Sequence, residues 1–291
     1  MRARIIPKNQ IKTLISEQWV DKKRRPYCTV DSAYIPVKEG YTYDVDLPER
    51  NPYNGPGYQQ LGNTILIHGS KPTDEQIEML INWKNPKCIL HIKRHTGNMR
   101  IPLVSTLYGT PSDVTIRESG IIYRFNPSKI MFSQGNRNEK QRIRDLIQPN
   151  EYIADMFAGI GYFSLSAAMA GSHVHAIDIN PESCKYLIQN AKLNGVSDHM
   201  TIECGDSRSC LKGQYNRIIM GHFDAPSPSF LNSALIHSKK GTVLHIHGLN
   251  DRQKDIESII QNFGYKYTIS AHRVKKYSKY VWHNVWDVTL I

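Results

Sequence analysis

The chain has 291 residues, enough for one large domain or two modest ones and ample for a buried core. Lys and Arg number 37 against 26 Asp and Glu, a net charge of +11 that favours a polyanionic partner bound through phosphate contacts and counterion release. No apolar run reaches the roughly 20 residues of a membrane span, the start Met1-Arg2-Ala3-Arg4 leads into no signal-peptide apolar region, and Cys28, Cys88, Cys184, Cys204 and Cys210 form neither a CxxC pair nor a metal-ligand spacing, so the composition argues against a membrane protein, a disulfide scaffold or a metal module and for reduced thiols in the cytoplasm.

Residues 1–135 read as a mixed α+β region. Ile11, Leu14 and Ile15 lie at helical spacing, and Lys22-Lys23-Arg24-Arg25-Pro26 is a basic turn. Asn51 to Gly57 is a loop by composition. Thr64 to His68 and Cys88 to Ile92 are strand candidates, with a helix between them capped at Thr73 and running through Ile77, Leu80 and Ile81. Thr115 to Phe125 predicts a hairpin turning near Gly120.

From residue 136 to 291 the pattern becomes repeated strand-helix units, the mark of a parallel sheet covered on both faces. Strands are predicted to start near Tyr152, Ser172, Met200, Asn216, Thr242, Tyr265 and Val281, with the clearest helices over 181–194, 228–240 and 251–263. The first strand runs into Asp155-Met156-Phe157-Ala158-Gly159-Ile160-Gly161-Tyr162-Phe163 and then a helix-forming run from Ser164. Gly159 and Gly161 open backbone angles closed to other residues and leave room for a ligand. The second strand ends in Asp178, about 20 residues on, the spacing at which a carboxylate meets ribose hydroxyls. Ser164 stands where the third glycine of a dinucleotide fingerprint belongs, which disfavours NAD. Asp206, followed by Ser207, ends the third strand, where a carboxylate can accept from an adenine amine or cap the next helix. Ser133 and Lys140 precede the sheet and could hold an amino-acid carboxylate, or simply begin a capped helix.

The form D-x-F-x-G-x-G-x-F, with an acid ending the second strand, resembles the opening motifs of class I S-adenosylmethionine-dependent transferases. Together with Met131-Phe132-Ser133-x-Gly135-Asn136-x-x-Glu139-Lys140, Asn180-Pro181, Asn190-x-x-x-Asn194-Gly195-Val196 and Gly205-Asp206, it is similar to the wybutosine-pathway tRNA(Phe) 4-demethylwyosine aminocarboxypropyltransferases, which belong with the tRNA guanine-N1 methyltransferases. The likeness is strong over about residues 100 to 291 and weak before. It implies an α/β fold, a class I methyltransferase (Rossmann-like) seven-stranded doubly wound sheet behind the N-terminal α+β region. S-adenosylmethionine would be the aminocarboxypropyl donor and tRNA(Phe) the partner of a monomer that needs no metal. Ser133, Lys140, Asp155, Phe157, Gly159, Gly161, Asp178, Ile179, Asp206 and Ser207 would be the cofactor-contacting set.

The segment after the fourth strand, Met220-Gly221-His222-Phe223-Asp224-Ala225-Pro226, separates the two relatives, because base N-methyltransferases place an Asn or Asp, and the guanine-N1 family an Asn, where Gly221 stands. Asp224 or His222 could take a proton from a carbon nucleophile, or merely solvate a loop. His245 and His247 share one strand face and are expected to pack. Ala271 to His283 interleaves cations with aromatics; Arg273, Lys275, Lys276, Tyr277 and Lys279 are the RNA-binding candidates, with Arg2, Arg4, Lys22 to Arg25 and Lys93-Arg94 extending the footprint over the tRNA. The rival readings are a tRNA guanine-N1 methyltransferase and a non-catalytic RNA-binding protein on a transferase scaffold.

Overall fold

The computed structural model describes residues 1–47, 53–97 and 99–291, so Asn51 and Pro52 of the expected loop lie outside the described residues. The chain divides into two compact units, Met1–Asn54 and Gly55–Ile291. The division expected between residues 135 and 136 falls inside the second of these.

In the first unit, β1 (Arg2–Pro7), α1 (Ile11–Leu14), β2 (Tyr27–Cys28), β3 (Ser32–Pro36) and β4 (Val45–Asp46) form an antiparallel sheet in the order β2-β3-β1-β4. Ile6, Ala33 and Ile35 point inward at the two-residue strand period and pack with Val20 against Ile11, Leu14 and Trp19.

The second unit begins with β5 (Tyr58–Leu61), β6 (Thr64–His68), α2 (Asp74–Lys84), β7 (Cys88–Thr96) and β8 (Ile101–Gly109), a sheet in the order β5-β6-β7-β8. Thr73 caps α2, as the sequence predicts, and closes a capping box with Gln76. The hairpin of β9 (Val114–Glu118) and β10 (Ile121–Phe125) follows, then α3 (Arg137–Leu146).

The large sheet comprises β11 (Tyr152–Asp155), β12 (His173–Asp178), β13 (Met200–Cys204), β14 (Arg217–Met220), β15 (Val243–Leu249), β16 (Tyr267–Ser278) and β17 (Val281–Leu290). Its order is β13-β12-β11-β14-β15-β17-β16, parallel except for β17, which runs antiparallel to both neighbours. The helices α4 (Ser164–Met169), α5 (Pro181–Leu193), α6 (Ser207–Cys210), α7 (Pro228–Ile236) and α8 (Gln253–Asn262) connect the strands.

Adjacent residues of the central strands enter different cores: Ile153 and Ile219 join one cluster, Ala154, Ile218 and Met220 the other. This two-faced burial makes the strands read as continuous apolar runs. The first cluster also takes in Leu61, Leu90, Tyr123 and Phe125, so the small sheet and the hairpin share a core with the large one. Two asparagines one helical turn apart on α5 fix the hairpin: Asn190 Oδ1 accepts from Arg124 N at 2.8 Å and Asn194 Oδ1 from Ile122 N at 2.9 Å. The Asn190-x-x-x-Asn194 spacing thus supplies hydrogen bonds that a neighbouring strand would otherwise give the edge of β10.

Candidate active site

At the carboxyl end of β11 the chain turns through Gly159 (φ 57°) and Gly161 (φ 103°). A Cβ on Gly161 would stand 2.5 Å from Leu165 Cγ and 2.9 Å from Leu187 Cδ1, so this glycine lets α4 and α5 close on the turn. Asp178 Oδ2 accepts from Gly159 N at 2.7 Å and its Oδ1 from Asn180 N at 2.9 Å. One carboxylate therefore joins the glycine turn to the start of α5, with lone pairs left for ligand hydroxyls. Burial raises the Asp178 pKa, and the two backbone donors counter it.

Behind the turn, Asp155 is fully buried and accepts from Ser164 Oγ at 2.6 Å. The hydroxyl explains why serine occupies the third-glycine position: it answers a carboxyl that has no access to water. Burial pushes the Asp155 carboxyl up to about 7 against the hydrogen bonds of Ser164 and Phe157, with the charge of Asp178 adding to the rise.

A cavity of about 760 Å³ opens above these strand ends, where ligands of doubly wound sheets sit. Ser133, Lys140, Phe157, Gly159, Asp178 and Ile179 line it, as do His222, Lys275 and Tyr277. Asp155 and Gly161 are not lining residues; the first supports the turn from below and the second packs. Asp206 caps α6 by accepting from Arg208 N at 3.0 Å and also pairs with the Arg208 side chain; neither it nor Ser207 lines the cavity. Asp224 is also outside the lining, its side chain 71% exposed, and its backbone N–H donates to His222 Nδ1 at 3.2 Å. That bond leaves Nε2 of the neutral His222 ring as its N–H. The ring stacks on Phe157 with 5.1 Å between centroids, and burial lowers its pKa.

Lys140 is buried, with Nζ 2.6 Å from Glu118 Oε1 and the rings of Phe132 and Tyr162 about it at 4.9 and 5.1 Å. Its charge is answered within the fold. Burial still lowers its pKa against the pull of Glu118.

The cationic hairpin divides. Register shifts interrupt β16 between Arg273 and Lys275 and between Lys276 and Ser278. Arg273 and Lys276 lie over the exposed Trp282 ring at 5.2 and 6.0 Å and Lys279 over Tyr280 at 5.2 Å, away from the cavity that Lys275 and Tyr277 line.

Several lining residues carry no local sequence signal. His68, His95 and Arg100 come from the small sheet and its loop, and His283 from β17. Burial and the charge of Lys275 lower the His283 pKa to about 4, and its Nε2 meets His247 Nδ1 at 3.0 Å. His245 is a packed polar group, as expected: Nε2 takes a hydrogen bond from Arg217 at 2.7 Å and Nδ1 meets Asp287 at 2.6 Å. Among the described residues no helix is long and apolar enough to cross a membrane, and no three His, Cys, Asp or Glu are grouped to hold a metal ion.

A seven-stranded sheet in this order, with a glycine turn and an acid at the ends of its first two strands, is the class I methyltransferase fold. Residues 114–275 match the TRM5/TYW2 methyltransferase domain, and the chain belongs to that family. It is 32% identical over 240 residues to the tRNA(Phe) (4-demethylwyosine(37)-C(7)) aminocarboxypropyltransferase of Methanocaldococcus jannaschii, covering 79% of this chain and 96% of that protein. The crystal structure of Pyrococcus horikoshii TYW2 in complex with MeSAdo superposes with a TM-score of 0.70 at 28% identity, over 81% of this chain and 90% of that one. Trm5b of Pyrococcus abyssi shares the fold with a TM-score of 0.74 at 24% identity, over 99% of this chain and 98% of that one.

Proposed function

We propose that this protein transfers the 3-amino-3-carboxypropyl group of S-adenosylmethionine to carbon 7 of 4-demethylwyosine in tRNA(Phe), acting as a cytoplasmic monomer. The observation that carries the reading is the end of β14, taken with the Methanocaldococcus relative so named. There Gly221 lies against Phe163, and a Cβ at this position would stand 3.1 Å from the ring. No amide or carboxylate head projects from residue 221 to orient a ring nitrogen, which suits a carbon nucleophile better than a base N-methylation.

The residues of the cleft fit the donor. Its volume of about 760 Å³ exceeds what one nucleoside needs and leaves room for a base. Asp178 faces it with acceptor capacity for ribose hydroxyls, and Phe157 and Ile179 offer apolar walls for the purine. The donor supplies a sulfonium whose departing thioether is neutral, so the chain has mainly to bind, orient and exclude water. His222 lines the acceptor side of the cleft, and it can take the proton that the ring carbon loses only once Nδ1 gives up the Asp224 N–H; Asp224, outside the lining, stands behind it to receive that proton from the ring.

Three experiments bear on this. A label on the carboxyl carbon of the donor is expected to appear in precursor tRNA(Phe), and a label on the S-methyl group is not; the reverse would make the chain a guanine-N1 methyltransferase. Asp178→Ala is expected to weaken donor binding by about 1–3 kcal/mol, the scale of charge-assisted hydrogen bonds lost; unchanged affinity by calorimetry would take the residue out of the site. For the RNA, Arg273, Lys276 and Lys279 on the outer face of the hairpin, together with the basic N-terminal region, are the phosphate contacts of this reading. Replacing Arg273 and Lys276 by Ala is expected to lower the slope of log affinity against log salt by about 2. An unaltered slope would place the tRNA elsewhere.

A further inference from the structure

The β-bulge in β16 has a chemical consequence. His272 opposes Val285 and Arg273 opposes Asn284 on β17, so Val274 would come next against His283. The register shift puts Lys275 there instead. Directly opposed residues share a face of the sheet, so the extra residue turns a lysine, in place of a valine, towards the cavity that His283 also lines. Bulges beside active sites commonly re-aim a side chain in this way.

Lys275 Nζ reaches the turn that precedes α3. It lies 2.7 Å from where a Cβ on Gly135 would be, so its seat there depends on glycine at 135. Among the described residues no carboxylate pairs with it, and the charge of Arg100, also on the wall, adds to burial in lowering its pKa. Lys140, by contrast, is already matched by Glu118. Next to Gly135, Asn136 lines the cavity and leaves a buried Oδ1 with no hydrogen-bond partner. A cation short of an anion thus stands beside an acceptor short of a donor, which is the complement of a zwitterionic amino acid.

We propose that Lys275 holds the α-carboxylate of the donor's amino-acid arm and that Asn136 Oδ1 accepts from its α-ammonium. The proposal rests on the aminocarboxypropyltransferase reading above and names how that site grips the group it transfers. It assigns Lys275 to the donor and not to an RNA phosphate.

Calorimetry on the full chain with S-adenosylmethionine, and with methylthioadenosine, the neutral thioether that remains when the arm is removed, tests it. Lys275→Met keeps the aliphatic stem; it is expected to weaken S-adenosylmethionine at least tenfold and to leave methylthioadenosine within twofold. Gly135→Ala is expected to repeat that pattern, weakening S-adenosylmethionine and sparing methylthioadenosine, because its Cβ displaces Nζ while φ at 135 is not positive and the backbone accepts alanine. Unchanged S-adenosylmethionine affinity in Lys275→Met, or an equal loss for both nucleosides, would overturn the assignment. So would retained donor affinity with weaker tRNA binding in the absence of donor, which would give Lys275 to a phosphate. A wild-type chain that binds neither nucleoside would overturn the transferase reading itself, a result distinct from any of these.

Discussion

Glu118→Ala is expected to destabilise the fold by about 3–5 kcal/mol, read as a lower midpoint in urea unfolding. The Glu118 side chain is 4% and that of Lys140 8% exposed, with 2.6 Å between Nζ and Oε1. Removing the carboxylate leaves an ammonium enclosed by Phe132, Tyr162 and the more distant Tyr123. Cation–π attraction to these rings offsets only part of the lost charge partner. The double variant Glu118→Leu, Lys140→Met is expected to recover most of the loss, since a packed apolar pair can replace a buried ion pair at little cost. If Glu118→Ala unfolds at the wild-type midpoint, the Lys140 charge is answered by another partner and the Glu118 pair does not hold the fold.

The second large effect belongs to Asp155. Its folded pKa of about 7 stands above the 3.8 of an ordinary aspartate, so the native state binds a proton that the unfolded chain releases. A raised acid pKa contributes stability that is fully present below the unfolded value and is lost as pH rises through the folded one. Between about pH 4 and pH 7 the stability of wild type relative to Asp155→Asn is therefore expected to fall by about 3 kcal/mol. The variant keeps the shape of the side chain and removes the titration. His245, His247 and His283, whose pKa values burial lowers, gain stability as pH rises and are common to both proteins, so the difference isolates Asp155. Parallel stability curves for the two proteins would mean that Asp155 stays ionised behind the glycine turn.

Where each chemical signal is local, the fold and the site are legible in the sequence. The apolar strand, the glycines at 159 and 161 and the acid at 178 lie within one strand-turn-helix-strand unit, and the structure joins them through the Gly159–Asp178 hydrogen bond. The capping box of α2 and the hairpin turning at Gly120 are local in the same sense. Features that depend on distant pairing are not legible. Glu118 meets Lys140 because the hairpin folds onto α3, and nothing in the residues between them announces it. β8, with exposed and partly buried positions along most of its length, lacks the alternation that marks a strand, and Arg100, just before it, reaches the cavity only through tertiary packing. The basic run in β16 reads as one uniform face because a bulge leaves no trace in the two-residue period; the register shift sends Lys275 one way and Arg273 and Lys276 the other. Ser164 reads as a departure from the dinucleotide pattern, and its reason, a buried carboxyl nine residues earlier, is visible only in three dimensions.

In this transferase the cleft directs the amino-acid arm of the donor, and not its methyl group, at the base. The adenosine product of a single turnover with S-adenosylmethionine and tRNA(Phe) carrying 4-demethylwyosine tests it most directly. Methylthioadenosine, formed in step with a gain of one aminocarboxypropyl mass on the tRNA, is the predicted result; S-adenosylhomocysteine with a gain of one methyl would contradict it.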